Sequence, residues 1–392
     1  MHDPHSVMFV TNRPDIEMVS GSGSWLTDNN GKRYLDFMQG WAVNCLGHCN
    51  PGMIEALENQ ARKVINPSPA FYNEPMIALS DLLTSHSCFD KVFFANSGAE
   101  ANEGAIKLAR KWGKIHKKSA HEIITFEHSF HGRTLATMSA SGKPGWGTMF
   151  APQVDGFPKA ILNDIASVKN LITDQTVAVM LEPVQGEGGV IPATKEFMLQ
   201  LRQLTIENNI LLIVDEVQAG CGRTGKLFAH QLFAIDPDIM TLGKGIGGGV
   251  PLAALLCTNA VACFEPGDQG GTYCGNPLMT AVGVSVVSQL LAPGFLDSVC
   301  EKGEYLRQRF LDLTSKHHLN GERGEGLLRA LILNKDNGAE LVEKARNHAP
   351  FGLLINSPKP NLLRFMPALN VSHQEIDQMI DILDELLTQA PK

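Results

Sequence analysis

The 392 residues carry a formal charge of -8, with 44% hydrophobic and 19% charged side chains, which is enough apolar material for a large core and an expected two domains. An acidic chain with no Lys/Arg-rich run argues against a nucleic-acid or anionic-membrane surface. Met1-His-Asp-Pro-His-Ser6 lacks the basic and apolar regions of a secretory leader, and no apolar stretch reaches the roughly 18 residues of a membrane span, so the cytoplasm is the expected compartment.

Residues 25–28 and 32–37 are short strand-like runs joined by Asn29-Asn-Gly31, a hairpin signal, within an expected N-terminal unit over residues 1–50. Residues 40–48 are too broken by glycine to be regular, and a helix is expected over 51–63 with Pro51 in its first turn. Residues 66–75 mix turn formers with Phe71 and Tyr72, which suits a loop lining a site and equally a packed connector. A helix over 76–86, a strand over 92–95, the turn Asn96-Ser97-Gly98-Ala99 and a long helix over 100–118 follow. A strand-to-helix turn with a hydroxyl, a glycine and free N–H groups is a phosphate seat, although a plain capped helix start has the same composition. Further strands are expected over 122–126, 177–181, 210–215, from Ile239 and over 252–257. Helices fall at 194–208, 277–291 and 373–389. Alternating strands and helices with short connections predict an α/β fold with a mostly parallel sheet covered on both faces. Ala292-Pro-Gly294 breaks the pattern, dividing a large domain over 51–294 from a smaller unit over 295–392.

Two of the apolar runs end in charged residues, Asp215 and Lys244, and the ligand crevice of an open α/β sheet lies at such carboxyl ends. Lys244 has glycine on both sides, where another planar body can approach closely and the amine is poorly hydrated. A lysine so placed loses its proton readily and suits a Schiff-base nucleophile. Asp215, one strand away, is placed to keep a pyridinium nitrogen protonated, and the pair is what a protein contributes to pyridoxal 5'-phosphate (PLP) chemistry. Taken singly, a lysine in a glycine loop and a helix-capping aspartate are the plain alternatives. Eight cysteines without a C-x-x-C pair read as reduced thiols. Cys45-Leu-Gly-His48-Cys49 and His128-Ser-Phe-His131 have no second matching cluster, so no metal is expected. Gly243-Lys-Gly-Ile-Gly-Gly248 fits the G-x-G-x-x-G of NAD-type dinucleotide-binding oxidoreductases, but Gly249-Val-Pro251 stands where the helix of that motif must begin.

The segments Asn96-Ser-Gly-Ala-Glu-Ala-Asn102, Phe130-His-Gly-Arg133, Leu181-Glu-Pro-Val-Gln-Gly-Glu-Gly-Gly189, Asp215-Glu-Val-Gln-Ala-Gly-Cys-Gly-Arg-Thr-Gly225 and Thr272-Tyr-Cys-Gly-Asn-Pro277 resemble, in unbroken order, the successive signatures of class III PLP-dependent aminotransferases. The likeness runs from about residue 20 to the C-terminus. It implies fold type I of the PLP-dependent transferases, with a large domain and a smaller α+β domain formed by both terminal segments, in a homodimer with shared active sites. It also implies that Ser97, Gly98 and Ala99 seat the phosphate of PLP, that Thr272 reaches the phosphate bound by the neighbouring subunit, and that Phe130 and Val217 cover the two ring faces. Gln218 bonds the ring hydroxyl, Asp215 the ring nitrogen, and Lys244 is the Schiff-base lysine. By the same resemblance Arg133 binds the distal carboxylate of the substrate and Arg364 the α-carboxylate of 2-oxoglutarate. Glu187 pairs with Arg364 while an amine is bound, and Glu182 is structural. The implied reaction moves the terminal amino group of N-acetylornithine to 2-oxoglutarate, giving N-acetylglutamate semialdehyde and glutamate in arginine biosynthesis, with N-succinylornithine, ornithine and 4-aminobutyrate as alternative donors. Trp41, residues 66–70, Gly271 and Cys274 depart from the family pattern, and the first two, on loops expected to line the amine pocket, leave the acyl end of the donor open.

Overall fold

Every side chain of the strands Thr176–Leu181 and Leu211–Asp215 is buried, which requires cover on both faces and marks the middle of a sheet. The computed structural model describes residues 6–389, so residues 1–5, read above for a leader, lie outside the described residues. The central sheet has seven strands in the order Lys91–Ala95, Ala253–Cys257, Ile239–Leu242, Leu211–Asp215, Thr176–Leu181, Glu122–Phe126 and Lys159–Ala160. Ala253–Cys257 runs antiparallel to both neighbours and the other pairings are parallel. Its direction follows from chain length: a parallel crossover takes roughly a dozen residues or more, and the short link after Leu242 can only turn back.

The helix Gly98–His116 starts with a reciprocal cap, in which the Ser97 hydroxyl accepts from the Glu100 N–H while the Glu100 carboxylate accepts from the Ser97 N–H. Asn50, Asn73 and Asn276 cap the helices Pro51–Ala61, Glu74–Ser85 and Pro277–Leu290, each of which has proline in its first turn. These ends agree with the expected helices to within two residues. No single helix among the described residues is long and apolar enough to cross a membrane.

Trp25–Asp28 and Arg33–Asp36 form the expected hairpin, extended on one side by Met18–Ser22, which the pattern did not signal. On the other side Gly352–Leu354 joins Arg33–Asp36 in parallel and ties the two terminal segments together. A third sheet, in the order Gly321–Glu325, Leu328–Ile332, Leu362–Phe365 and Asn356–Lys359, places Arg364 opposite Ala330. The stretch read as irregular contains a left-handed turn, with φ of 47° at Gln39, 63° at Gly40, 63° at Trp41 and 67° at Ala42. Left-handed backbone costs roughly 1–2 kcal/mol at each non-glycine residue. Asp36 helps to hold it: Oδ1 accepts from the N–H groups of Met38 and Gln39, and Oδ2 lies 2.8 Å from His48 Nε2.

Candidate active site

Parallel pairing sets Asp215 beside Thr241, three residues before Lys244, so both charged residues emerge at one edge of the sheet. Asp215 is 3% exposed, and a buried carboxylate must find donors. Its Oδ2 lies 2.7 Å from His131 Nδ1 and accepts from Asn102 Nδ2 at 2.8 Å, while Oδ1 accepts from the Val217 N–H at 3.0 Å. Asn102 is itself fixed, donating to the His131 carbonyl and accepting from Thr241 Oγ1. His131 Nε2 is buried without a partner. The carboxylate is thus held by three contacts, from His131, Asn102 and Val217.

Lys244 begins a short 3₁₀ turn with φ of 44°. Burial pushes its amine below the usual lysine range and Arg364 adds to this, against the opposing pull of Glu187, Asp215 and Glu182. Glu182 is buried as well: desolvation, with Asp215 as a like charge, raises its carboxyl well above the usual range, and Oε1 accepts from the Phe130 N–H at 2.9 Å. The glycines around the site serve close packing within the protein. A Cβ on Gly98 would come within 2.6 Å of Val217 Cγ1, and Gly243 lies against the same methyl and against Gly98. That contact brings the start of the helix Gly98–His116, Val217 and Lys244 to one place.

In the first turn of that helix the N–H groups of Gly98 and Ala99 have no intrahelical acceptor and face the positive end of the dipole. This suits an anion such as a phosphate. Arg364 is fully buried. Its Nη1 donates to Glu187 Oε1 at 2.7 Å, Nε donates to Asn356 at 3.2 Å, and Nη2 has no partner. Burial alone would raise the Glu187 carboxyl, but Arg364 outweighs it and holds the group below the usual range. The pair's stabilisation is therefore complete above the ordinary carboxylate pKa and lost as pH falls through the depressed one. Gln218 Oε1 lies 3.5 Å from Arg364 Nη1, and its Nε2 is a buried donor without an acceptor. Arg133 is exposed with its guanidinium 5.6 Å from the centre of the Trp146 ring, and Trp146 also meets Phe130 edge to face at 5.6 Å.

Asp215, Lys244, Val217, Gly98, Ala99, Gln218, Glu187 and Arg364 are thus gathered in one place, with Phe130 and Arg133 beside them through Glu182 and Trp146. Ser97 is exposed, its hydroxyl within 3.3 Å of Glu100 Oε2. Thr272 is exposed on the loop after Gly271, where its carbonyl accepts from Asn66, and it makes no contact with the others. His131, Asn102 and Trp146 were not singled out from the sequence for these contacts. The first two lie inside quoted motifs, but nothing local says that they converge on Asp215 from 84 and 113 residues away. Buried donors without acceptors, an anion seat, a fixed carboxylate and a lysine of lowered pKa are the set that a phosphorylated, protonated pyridine aldehyde requires, so PLP fits.

The sequence profile of the aminotransferase class-III family matches residues 9–387. An acetylornithine aminotransferase of Ralstonia nicotianae is 74% identical over 386 residues, covering 97% of each chain. An acetylornithine aminotransferase 2 of Bordetella bronchiseptica is 63% identical over 388 residues, covering 99% of this chain and 98% of that one. Among solved structures, the ornithine aminotransferase of Toxoplasma gondii superposes with a TM-score of 0.93 at 29% identity, over 98% of this chain and 93% of that one. The N-acetylornithine aminotransferase of Stenotrophomonas maltophilia gives 0.85 at 33% identity, over 98% and 97%.

Proposed function

Because the chain belongs to the class III aminotransferases, whose cofactor is PLP, we propose that it moves the terminal amino group of N-acetylornithine to 2-oxoglutarate, releasing N-acetylglutamate semialdehyde and glutamate. The observation that carries this reading is Arg364, buried in an ion pair with Glu187 yet keeping one guanidinium nitrogen without a partner. A site that takes a terminal amine and then a dicarboxylate must offer its second cation only half of the time. With Glu187 in place, Arg364 presents no net charge to the chain of the amine donor; when 2-oxoglutarate enters, its α-carboxylate takes over the guanidinium in planar fashion. Arg133 grips the carboxylate at the far end of both substrates. The alternative donors of the same chemistry are N-succinylornithine, ornithine and 4-aminobutyrate.

PLP supplies an aldehyde that takes up the amino group and a ring that accepts the electron pair left at the neighbouring carbon. Lys244 Nζ, kept below its usual pKa by burial, takes the proton from the substrate carbon that bears the amino group. Asp215, oriented by His131 and Asn102, would keep a proton on the ring nitrogen. Gln218 Nε2 has a donor left that would bond the ring hydroxyl, the Gly98 and Ala99 N–H groups with the Ser97 hydroxyl, once turned from Glu100, would seat the phosphate, and Phe130 and Val217 would cover the two ring faces. The aldehyde product leaves before 2-oxoglutarate enters, so the kinetics are ping-pong.

We place the reaction in the cytoplasm, in keeping with eight free cysteines, and divide the chain into a large domain over 51–294 and a small one from 1–50 and 295–392. We also assign a homodimer. The loops around 66–73 and 272–275 are joined through Asn66 to the Thr272 carbonyl and Asn73 to the Gly275 carbonyl, and they leave Phe71, Tyr72 and Tyr273 exposed. Such a patch suits a second copy, whose bound phosphate Thr272 would reach.

An amine-donor panel with 2-oxoglutarate tests the substrate. Acetylornithine is expected to give the highest kcat/KM, and glutamate formed from 4-aminobutyrate but not from acetylornithine would overturn the assignment. Arg133→Ala should raise KM for acetylornithine by roughly 30- to 100-fold, the equivalent of about 2–3 kcal/mol of charged hydrogen bonding, and an unchanged KM would remove Arg133 from the site. Glu187→Gln should weaken the amine donor about tenfold, the equivalent of about 1.4 kcal/mol, while sparing 2-oxoglutarate. Equal loss for both substrates would exclude the switch.

A further inference from the structure

Thr241 puts a hydroxyl on an apolar face. On the strand Ile239–Leu242, Ile239 and Thr241 turn to the same side by the two-residue repeat of a strand, and Ile239 shares an apolar cluster with Ala105 and Ile106 of the helix Gly98–His116. Ile213 and Asp215 stand beside Ile239 and Thr241 on the neighbouring strand. Thr241 is fully buried. Packing alone would be served by valine, which has the same branched shape and no hydroxyl to satisfy. What threonine adds is one hydrogen bond, from Oγ1 to Asn102 Oδ1 at 2.6 Å.

Asn102, also buried, has every polar atom of its amide engaged. Its two N–H bonds go to the His131 carbonyl at 2.7 Å and to Asp215 Oδ2 at 2.8 Å, and its oxygen takes the Thr241 hydroxyl. Reversing the amide would set its oxygen against two acceptors. Without the Thr241 hydroxyl, Oδ1 becomes a buried acceptor with no donor, and the side chain gains by leaving this pose. Such a movement withdraws one of the three contacts on Asp215, the others being His131 Nδ1 at 2.7 Å and the Val217 N–H at 3.0 Å. Donors favour the charged form of a carboxylate, and the charged form is the one that holds a proton on a ring nitrogen. The helix extends the link. Asn102 lies one turn after Gly98 on the same face, so the N–H groups that suit a phosphate and the amide that holds Asp215 are about 6 Å apart along the axis. Thr241 pins that turn of the helix to the strand beside Asp215.

We propose that Thr241 is a positioning residue for transamination: acting through Asn102, it holds Asp215 in the pose that keeps a proton on the PLP ring nitrogen. The inference rests on Asp215 being the partner of that nitrogen, as read above.

The test uses the PLP-loaded enzyme with acetylornithine and 2-oxoglutarate, and PLP carrying ¹⁵N in its ring, whose magnetic resonance reads directly whether the nitrogen is protonated. Thr241→Val is expected to lower kcat about tenfold, the scale of one unmade buried hydrogen bond, while KM for either substrate changes less than about threefold. The ring-nitrogen resonance should move toward that of an unprotonated pyridine. Thr241→Ser, which keeps the hydroxyl, should recover most of both effects. Because the hydroxyl acts through Asn102, Thr241→Val should cost nothing further in an Asn102→Ala background, and full additivity overturns the proposal. A folded Thr241→Val enzyme with unchanged kcat and resonance overturns it, as does a Thr241→Ser enzyme equally impaired. If Thr241→Val does not fold, Asn102→Ala breaks the same link, and an unmoved resonance in that variant is the overturning result. Asp215→Asn separates the two levels. A resonance moved by Asp215→Asn but not by Thr241→Val refutes the role of Thr241 alone, whereas one moved by neither refutes the assignment of Asp215 as well.

Discussion

Lys244→Ala is expected to lower turnover by at least about 10⁴-fold with every amine donor, because one side chain provides both the attachment point for the cofactor aldehyde and the base at the substrate carbon. No neighbour can substitute. Glu182 accepts from the Phe130 N–H, Glu187 is paired to Arg364, and Asp215 is turned to His131 and Asn102. The fold should tolerate the change, since Lys244 makes no ion pair among the described residues. Sodium borohydride, which fixes PLP covalently on a lysine, provides a readout that does not depend on turnover. The peptide carrying Lys244 should gain the mass of reduced PLP in the unmodified enzyme and nothing should be gained in the variant. A PLP mass on a different lysine, or a variant within a hundredfold of normal turnover, would remove Lys244 from its role.

Asp215→Asn should cost roughly 10²- to 10³-fold in kcat, the scale of losing one member of a buried, hydrogen-bonded charge pair at about 3–4 kcal/mol. The substitution keeps the shape of the side chain, so the loss reports charge and not packing. An amide cannot hold a proton on the ring nitrogen, and it turns an NH₂ toward the donors of His131, Asn102 or Val217. PLP should still be retained through the helix start at Gly98 and Ala99, with affinity reduced less than turnover. Retained turnover within about threefold, with normal PLP affinity, would mean that the carboxylate merely fills space.

The parts of this architecture that were legible in the chain were those written in short-range patterns. Uninterrupted apolar runs marked the buried strands, Pro51 marked a helix start, and Asn29-Asn-Gly31 marked a hairpin that is present between Trp25–Asp28 and Arg33–Asp36. Lys244 and Asp215 were legible because each ends such a run. The strand Met18–Ser22 is largely exposed and carries no alternating apolar signal, so its pairing depends on a neighbour that already exists. The left-handed turn at residues 39–42 was also hidden, since it is imposed partly by Asp36 and His48 against local preference.

The sequence by itself determined the chemistry of this protein: which residues it owns, a lysine and an aspartate at strand ends, two arginines, a glutamate between glycines, and the motif order that places the chain in its family. Only the tertiary structure decided how those residues are tuned. His131 and Asn102 orient Asp215, Trp146 lies between Phe130 and Arg133, burial lowers the Lys244 amine and raises the Glu182 carboxyl, and Arg364 keeps one nitrogen free. The reason is range. A side chain's type and its local backbone are encoded within a few residues, whereas its charge state depends on desolvation and on partners that packing brings from distant parts of the chain.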